Sequence, residues 1–265
     1  MTELVTTWWR RFRVELVLLF RDRQTVMFTI ILPFILLLTL ASIIPRQHLP
    51  GGVSFAQYLT AGMIASGLVY GGFQSLSIAV PTERVDGTLK RLRGSPMPPS
   101  AYFAGKVGTV LVIYVLQMAL MLTLGTLAFH VHLPTGGGHV LTFLWLSALA
   151  LVCFTSLGVA FSSLAKTGQA AAAIATPIVL FLQFTSGVFF VYAKEPKWMQ
   201  AIASVFPLRW LAQGMRSVFL PPAYGHGEIN GSFQLPRVAL MLGIWSAVGI
   251  LLCARSFRWL PRGED

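Results

Sequence analysis

Charge is scarce in this chain of 265 residues. Nine acidic and twenty basic side chains make up only 11% of the sequence, while 55% is hydrophobic. A water-soluble domain needs about a quarter of its residues charged to cover its surface, so the soluble globular class is excluded. The apolar runs are continuous, without the alternation of an outer-membrane barrel strand. The two cysteines, Cys153 and Cys253, both fall inside apolar runs, which excludes a disulfide framework and leaves them as small buried residues. No run carries Asp, Glu, Lys or Arg at its centre, and such groups are what proton- or sodium-coupled carriers use to bind the driving ion. Neither HExxH nor G-x-S-x-G occurs. A phosphate loop is missing too: Gly105-Lys106 would need glycine at Ser100 and a hydroxyl residue at Val107. The chain therefore has no nucleotide site of that kind and no cofactor of its own.

What remains is a succession of apolar stretches, each long enough to cross a bilayer as a helix. Six spans are predicted: residues 24–44, 55–80, 107–131, 140–164, 168–192 and 235–254. Pro45 is expected to end the first and Pro81 the second, while Pro33 and Pro177 predict kinks within helices. Before the first span, residues 4–23 form no cleavable leader, because five arginines interrupt them. On a helix, Trp8, Trp9, Phe12, Leu16, Leu19 and Phe20 gather on one side, with Thr6, Thr7, Arg10 and Arg13 opposite and Glu15 out of place at the apolar edge. That pattern suits a helix lying in the headgroup region. The expected organisation is one membrane-spanning domain over 1–265: an interfacial helix (1–23), a six-span bundle (24–254) and a tail (255–265).

The net charge of +11 is spread along the flanks of the spans and forms no single basic face, which excludes nucleic acid as a partner and fits contact with anionic lipid. With the amino terminus in the cytoplasm, fourteen basic residues fall on inner segments and six on outer ones, so both termini are expected inside. The long outer segment 193–236 is too apolar for an ordinary loop. Trp198, Ile202, Phe206, Trp210 and Phe219, punctuated by Pro196, Pro207, Pro221 and Pro222, predict two short helices dipping back into the outer leaflet. His130, His132 and His139 lack acidic or thiol companions and make a poor metal set. Gln74, Gln117 and Gln183 are the notable polar side chains within spans, read first as helix-joining groups.

The segment after the second span reads Glu83-Arg84-Val85-Asp86-Gly87-Thr88-Leu89-Lys90-Arg91-Leu92, followed by Pro96 and Gly105-Lys106. Beyond the fifth span come Ser186-Gly187-Val188-Phe189-Phe190, Pro196-x-Trp198, Pro207-x-x-Trp210 and Arg216. In order and in depth these resemble the type-2 ABC exporter permeases, the membrane subunits of bacterial ABC exporters. The resemblance implies a bacterial inner-membrane permease that moves a drug, lipid or glycan with ATP hydrolysed by a separate ATPase subunit. It also implies a second permease subunit, identical or related. It assigns Glu83, Arg84, Gly87, Thr88, Leu89, Arg91 and Leu92 to a coupling helix on the ATPase, with Leu89 and Leu92 as its buried side. Gln74, Gln183, Phe189 and Phe190 become candidates for the transport path or an outer gate. The rival readings are a membrane-embedded lipid-modifying enzyme, for which Glu83 and Asp86 are the only inner-loop acids, and a scaffold that transports nothing.

Overall fold

The structure, a computed structural model, describes residues 2–21, 23–44, 48–95, 97–134 and 136–257. Pro45, Arg46, Pro96 and residues 258–265 of the expected tail lie outside them.

The architecture is all-α. Helix α1 (Thr2–Arg21) is followed by α2 (Arg23–Ile43), with Pro33 inside it. A two-residue antiparallel pair, β1 (His48–Leu49) with β2 (Val53–Ser54), then leads into α3 (Phe55–Leu68). Ser54 caps α3 by accepting from the Gln57 amide. A π-helical turn, Val69–Gln74, joins α3 to α4 (Ser75–Val85), and α5 (Thr88–Arg93) follows at once. The longer helices α6 (Pro99–Phe129), α7 (Gly137–Phe161) and α8 (Gly168–Thr185) are joined by short connections, and α11 (Leu235–Ser256) follows after a long one. Between α8 and α11 stand α9 (Lys197–Val205) and α10 (Pro207–Phe219). Among the described residues, five helices are long and apolar enough to cross a membrane: Phe55–Val85, α6, α7, α8 and α11.

Packing gives the molecule two ends. At one end, α10 is buried on almost every side, against α3, α7 and α11, and the turn Pro50–Gly52 meets Pro222–Gly227. We call this the cap end. At the other, α1 lies along the first turns of α6, and Phe257 at the foot of α11 packs on Tyr102 and Phe103. The α4–α5 connection sits here as well, so this is the elbow end. One apolar cluster, built around Tyr58, Leu59, Met63, Leu211 and Met215, fills the cap half. A smaller one, Leu76, Val80, Leu89, Tyr102, Val110 and Val159, fills the elbow half.

Several expectations are corrected. The second long helix does not stop at Pro81 but runs to Val85, because Leu76, Val80, Pro81 and Arg84 form one buried face that continues through the proline. The third begins at Pro99, which serves as the first helical residue, where its missing N–H costs nothing. The fifth ends at Thr185, since Gly187 turns left-handed (φ 71°) immediately afterwards. Helix α1 has two distinct faces. Its protein-facing side carries Arg11 and Glu15, while Trp8, Trp9, Val14, Val17, Leu18 and Phe20 are exposed.

Candidate functional site

Glu83 to Leu92 do not form one helix. Asp86 and Gly87 break the chain between α4 and α5, with the Asp86 amide donating to Thr82 O (2.9 Å) and Gly87 at φ 71°. An added Cβ at Gly87 would meet nothing within 4 Å, so glycine stands there for its backbone angle and not for a close approach. The result is an elbow. Val85, Asp86, Lys90, Arg91 and Arg93 are exposed on its outside. The expected docking side chains point elsewhere. Leu89 is fully buried in the chain's own elbow-end cluster and Leu92 is half-buried against it, so their burial is spent within the fold. Arg91 reaches back to Thr88 Oγ1 and to Asp86 O, both at 3.4 Å. Buried Arg84 donates to Ser162 O at the end of α7 (3.4 Å).

Glu83 is the inward anchor of the elbow. Its carboxylate pairs with Lys106 of α6 and accepts from the Tyr102 hydroxyl (2.9 Å). The same Lys106 ammonium donates to Glu15 of α1 (2.9 Å), and Glu15 pairs with Arg11 one turn earlier. Arg11 and Lys106 also lie over the Tyr102 ring at 5.6 and 5.5 Å. Three helices, α1, α4 and α6, are thus tied by a chain of alternating charge, buried at Arg11, Glu15 and Lys106 and partly buried at Glu83. Taking either charge away from such a pair leaves the other stranded in a low-dielectric setting. Close packing reinforces it: an added Cβ at Gly105 would sit 3.0 Å from Arg11 Cγ, and one at Gly108 would sit 2.7 Å from the Phe12 ring. Sequence reasoning placed Glu83 and Lys106 in a motif but missed Arg11, Glu15 and Tyr102. The signal was available in the i, i+4 spacing of Arg11 and Glu15 on a face that otherwise looked apolar.

The cap end has a buried ion pair of its own. Arg216 of α10, without solvent exposure, donates from Nε to Glu228 (2.5 Å) and from Nη1 to Gly187 O (3.1 Å), and lies 5.1 Å over the Tyr58 ring. Tyr58 of α3 donates to the same Gly187 O (2.9 Å) and accepts from the Tyr192 amide (3.1 Å). The Ser186-Gly187 and Arg216 parts of the second motif are therefore brought together. Gly187 is constrained twice, by φ 71° and because a Cβ would fall 2.6 Å from Tyr192 Cβ. Arg209 is stacked between Tyr192 (4.3 Å) and Trp210 (4.4 Å) and bonded to Gln213. Trp198 on α9 is exposed. Near these arginines Glu195 is buried, and burial pushes its carboxyl up from 4.5 to about 7, although the Gly187 backbone, Arg216 and Arg209 pull it down.

The path and gate candidates separate. Gln74 Nε2 donates to Thr176 Oγ1 (3.0 Å), and Gln183 Oε1 accepts from Ser66 (2.6 Å), so both join the long second helix to α8. Gln117 is buried opposite Gly67. Phe189 is 4% exposed and packs edge-on against Phe184, whereas Phe190 is 48% exposed. The two phenylalanines lie past the end of α8 and differ in exposure.

The sequence matches the family model described as ABC-2 type transporter over residues 2–220, a stretch that includes α1, the elbow and the whole of α10. The chain belongs to the ABC-2 type transporter family. Among curated proteins it is similar to the "Probable multidrug ABC transporter permease YbhR" of Escherichia coli (strain K12) and to its namesake in Escherichia coli O157:H7. Each is 24% identical over 185 residues, which is 69% of this chain and 49% of the relative. The match thus spans about half the length of these relatives. Membership in the ABC-2 family and the apolar helices make the chain a multi-pass membrane subunit of an ABC transporter.

Proposed function

We propose that this chain is a single permease domain of an ABC exporter, one that hydrolyses no ATP and docks through its elbow on a separate ATPase subunit. The observation that carries the reading is the elbow itself. An exposed, basic, sharply turned segment is held from behind by the Glu83–Lys106–Glu15–Arg11 chain, so a push on it is delivered to α1 and α6 together. Glu83, Arg84, Thr88, Leu89 and Leu92 shape the elbow from within, and Val85, Asp86, Lys90, Arg91 and Arg93 are its contact surface.

The proposal extends to topology. Helix α2, at 21 residues, is counted as a sixth span, which puts both termini on the elbow side. That side is taken as the cytoplasmic face of a bacterial inner membrane, in line with the basic excess there. In this arrangement the exposed Trp8, Trp9 and Phe20 of α1 rest among lipid headgroups, and α9 and α10 re-enter the membrane from outside. A second permease subunit completes the pathway. The cargo is an amphiphile (drug, lipid or glycan), since mid-span side chains offer only amides, hydroxyls and apolar surface. The name of the E. coli relatives supports the drug class among these.

The test is to extract the tagged chain gently from its native membrane and identify what stays bound. A phosphate-loop ATPase is expected in the complex, and the stripped chain should hydrolyse no ATP. In the same cells, a cysteine at Ser95 should react only from the cytoplasm and one at Gly231 only from outside. A correctly inserted chain that retains no ATPase, or one labelled at Ser95 from outside, sinks the reading.

A further inference from the structure

The second long helix, Phe55–Val85, is irregular in the middle and differently anchored on each side. The Ser75 amide donates to Tyr70 O, five residues back, which marks the turn Val69–Gln74 as π-helical. Above the turn every residue of α3 is buried, and α3 is bonded to the cap through Gln57 to Phe219 O (2.8 Å), Tyr58 to Gly187 O (2.9 Å) and Ser66 to Gln183 (2.6 Å). Below it, α4 is tied through Glu83 to the ion chain and leads into the elbow. The turn itself rests on a close crossing. A Cβ on Gly158 of α7 would fall 2.5 Å from Gly72 O, and one on Gly72 would fall 3.0 Å from Phe154 Cβ. At the last residue of the turn, Gln74 donates to Thr176 (3.0 Å), the residue before Pro177 within α8.

We propose that the π turn Val69–Gln74 is the joint at which the elbow half of this helix moves against its cap-anchored half, with Gln74 and Thr176 as positioning residues that set it. A π turn holds one residue more than the α-helix it interrupts, so the i→i−4 ladder is broken there, and such turns are frequent at functional sites. Gly72 and Gly158 give it a smooth backbone-on-backbone bearing. The joint's role in coupling rests on the transport reading above; its existence as the weak point of the helix does not.

The experiment is hydrogen exchange on the full chain in nanodiscs of phosphatidylethanolamine and phosphatidylglycerol. Amides of residues 73–80 should exchange at least tenfold faster than those of 59–68. Deleting Gly71 removes the extra residue and lets the turn close as α-helix with both flanks in register. Gly71 suits this because an added Cβ there would meet only ordinary contacts, the nearest at 3.5 Å. The deletion should slow exchange at 73–80 at least tenfold, while Gly71→Ala, equal in length, stays within twofold of the parent. Unchanged exchange after deletion overturns the joint. If the deleted chain does not reach the membrane, Thr176→Val decides. It has the same shape and no acceptor, and should speed exchange at 73–80 at least threefold, with Thr176→Ser behaving as the parent. A valine variant indistinguishable from the parent overturns the role of the Gln74–Thr176 bond. In the complex with its ATPase, ATP plus vanadate should change exchange at 73–80 at least threefold and leave 59–68 alone. No response there overturns the coupling role. A chain that binds no ATPase defeats the transport reading instead, and the joint then stands or falls on the exchange pattern of the free chain.

Discussion

At the elbow end, one ammonium, Lys106, serves two carboxylates that come from two other helices, and each carboxylate has a further partner in Arg11 or Tyr102. At the cap end, Arg216 meets one carboxylate, Glu228, twelve residues along the chain, and uses its remaining donor on the Gly187 backbone. The first arrangement shares ions among three helices; the second centres on a single ion pair, Arg216 with both oxygens of Glu228, backed by the Gly187 carbonyl and the Tyr58 ring. A structure that must transmit a push benefits from the first kind. One that must hold a short buried helix such as α10 in place benefits from the second. The contrast teaches that buried charge in one chain can serve as linkage or as clasp, depending on how many elements share each ion.

The contrast breaks most visibly at Arg216. Arg216→Ala leaves Glu228 buried without its cation, and removing one member of such a pair costs about 3–5 kcal/mol. The variant should accumulate poorly in the membrane and melt far below the parent in detergent. The double variant Arg216→Met with Glu228→Gln should recover much of the loss, because no lone charge remains. Stability equal to the parent for Arg216→Ala alone would mean that the clasp holds nothing.

Redundancy makes the elbow end more forgiving. Lys106→Met strands two carboxylates, yet Glu15 keeps Arg11 and Glu83 keeps Tyr102. The expected loss is about 1–3 kcal/mol, that of imperfectly satisfied buried groups. The chain should insert and fold, with α1 released from α6. Limited proteolysis after Arg13 or Arg21 measures that release, and a protease-resistant α1 in the variant would show that the ion chain is not what fastens it.

How much of this was legible beforehand depends on whether a signal is local. Five of the six expected spans could be located, though not their ends, because apolar length is a property of each segment alone. The elbow was half legible: Gly87 marked a turn, but Leu89 looked available for a partner because nothing local says that Tyr102 and Val159 cover it. Glu15 looked like a flaw in an apolar face until α6 brought Lys106 beside it. Pro81 was misread as a stop, since local rules weigh a proline without knowing that both sides of it share one buried face. Arg216 was visible as part of a motif, whereas its partner Glu228, in a polar stretch, carried no sign of its role.

A smaller effect separates the cap from bulk solvent. Burial raises the Glu195 carboxyl to about 7, above its usual 4.5. Between those values the folded chain binds more protons than the unfolded one, so stability declines as pH rises from about 4.5 to about 7 and is level above that. Glu195→Gln removes this dependence and should be more stable than the parent at pH 8 and closer to it at pH 5. Melting temperatures of both proteins across that range give the answer, and parallel curves would place the carboxyl outside the buried cluster.

The smallest effect on the fold is expected at the outside of the elbow, and it is the most informative about function. Val85 is 57% exposed, at the last turn of α4 beside the Gly87 break. Exposed substitutions of this kind stay within about 0.5 kcal/mol, so Val85→Asp should insert, fold and melt like the parent. If the elbow seats in an apolar groove on the ATPase, however, burying that valine contributes about 1.5–3 kcal/mol. Placing a carboxylate there should weaken association at least tenfold. Leu89→Ala is the matched control. Its side chain is fully buried inside this chain, so its truncation should cost about 2–5 kcal/mol of stability before any docking is measured. The two variants should therefore dissociate stability from docking in opposite senses: Val85→Asp stable and unbound, Leu89→Ala destabilised yet bound wherever it folds. Co-purification of the ATPase, scored against membrane abundance and melting temperature, reads both at once. Parent-level ATPase recovery with Val85→Asp would move the docking surface off the apex of the elbow and onto its basic flank at Lys90, Arg91 and Arg93, where charge reversal is the next substitution to make.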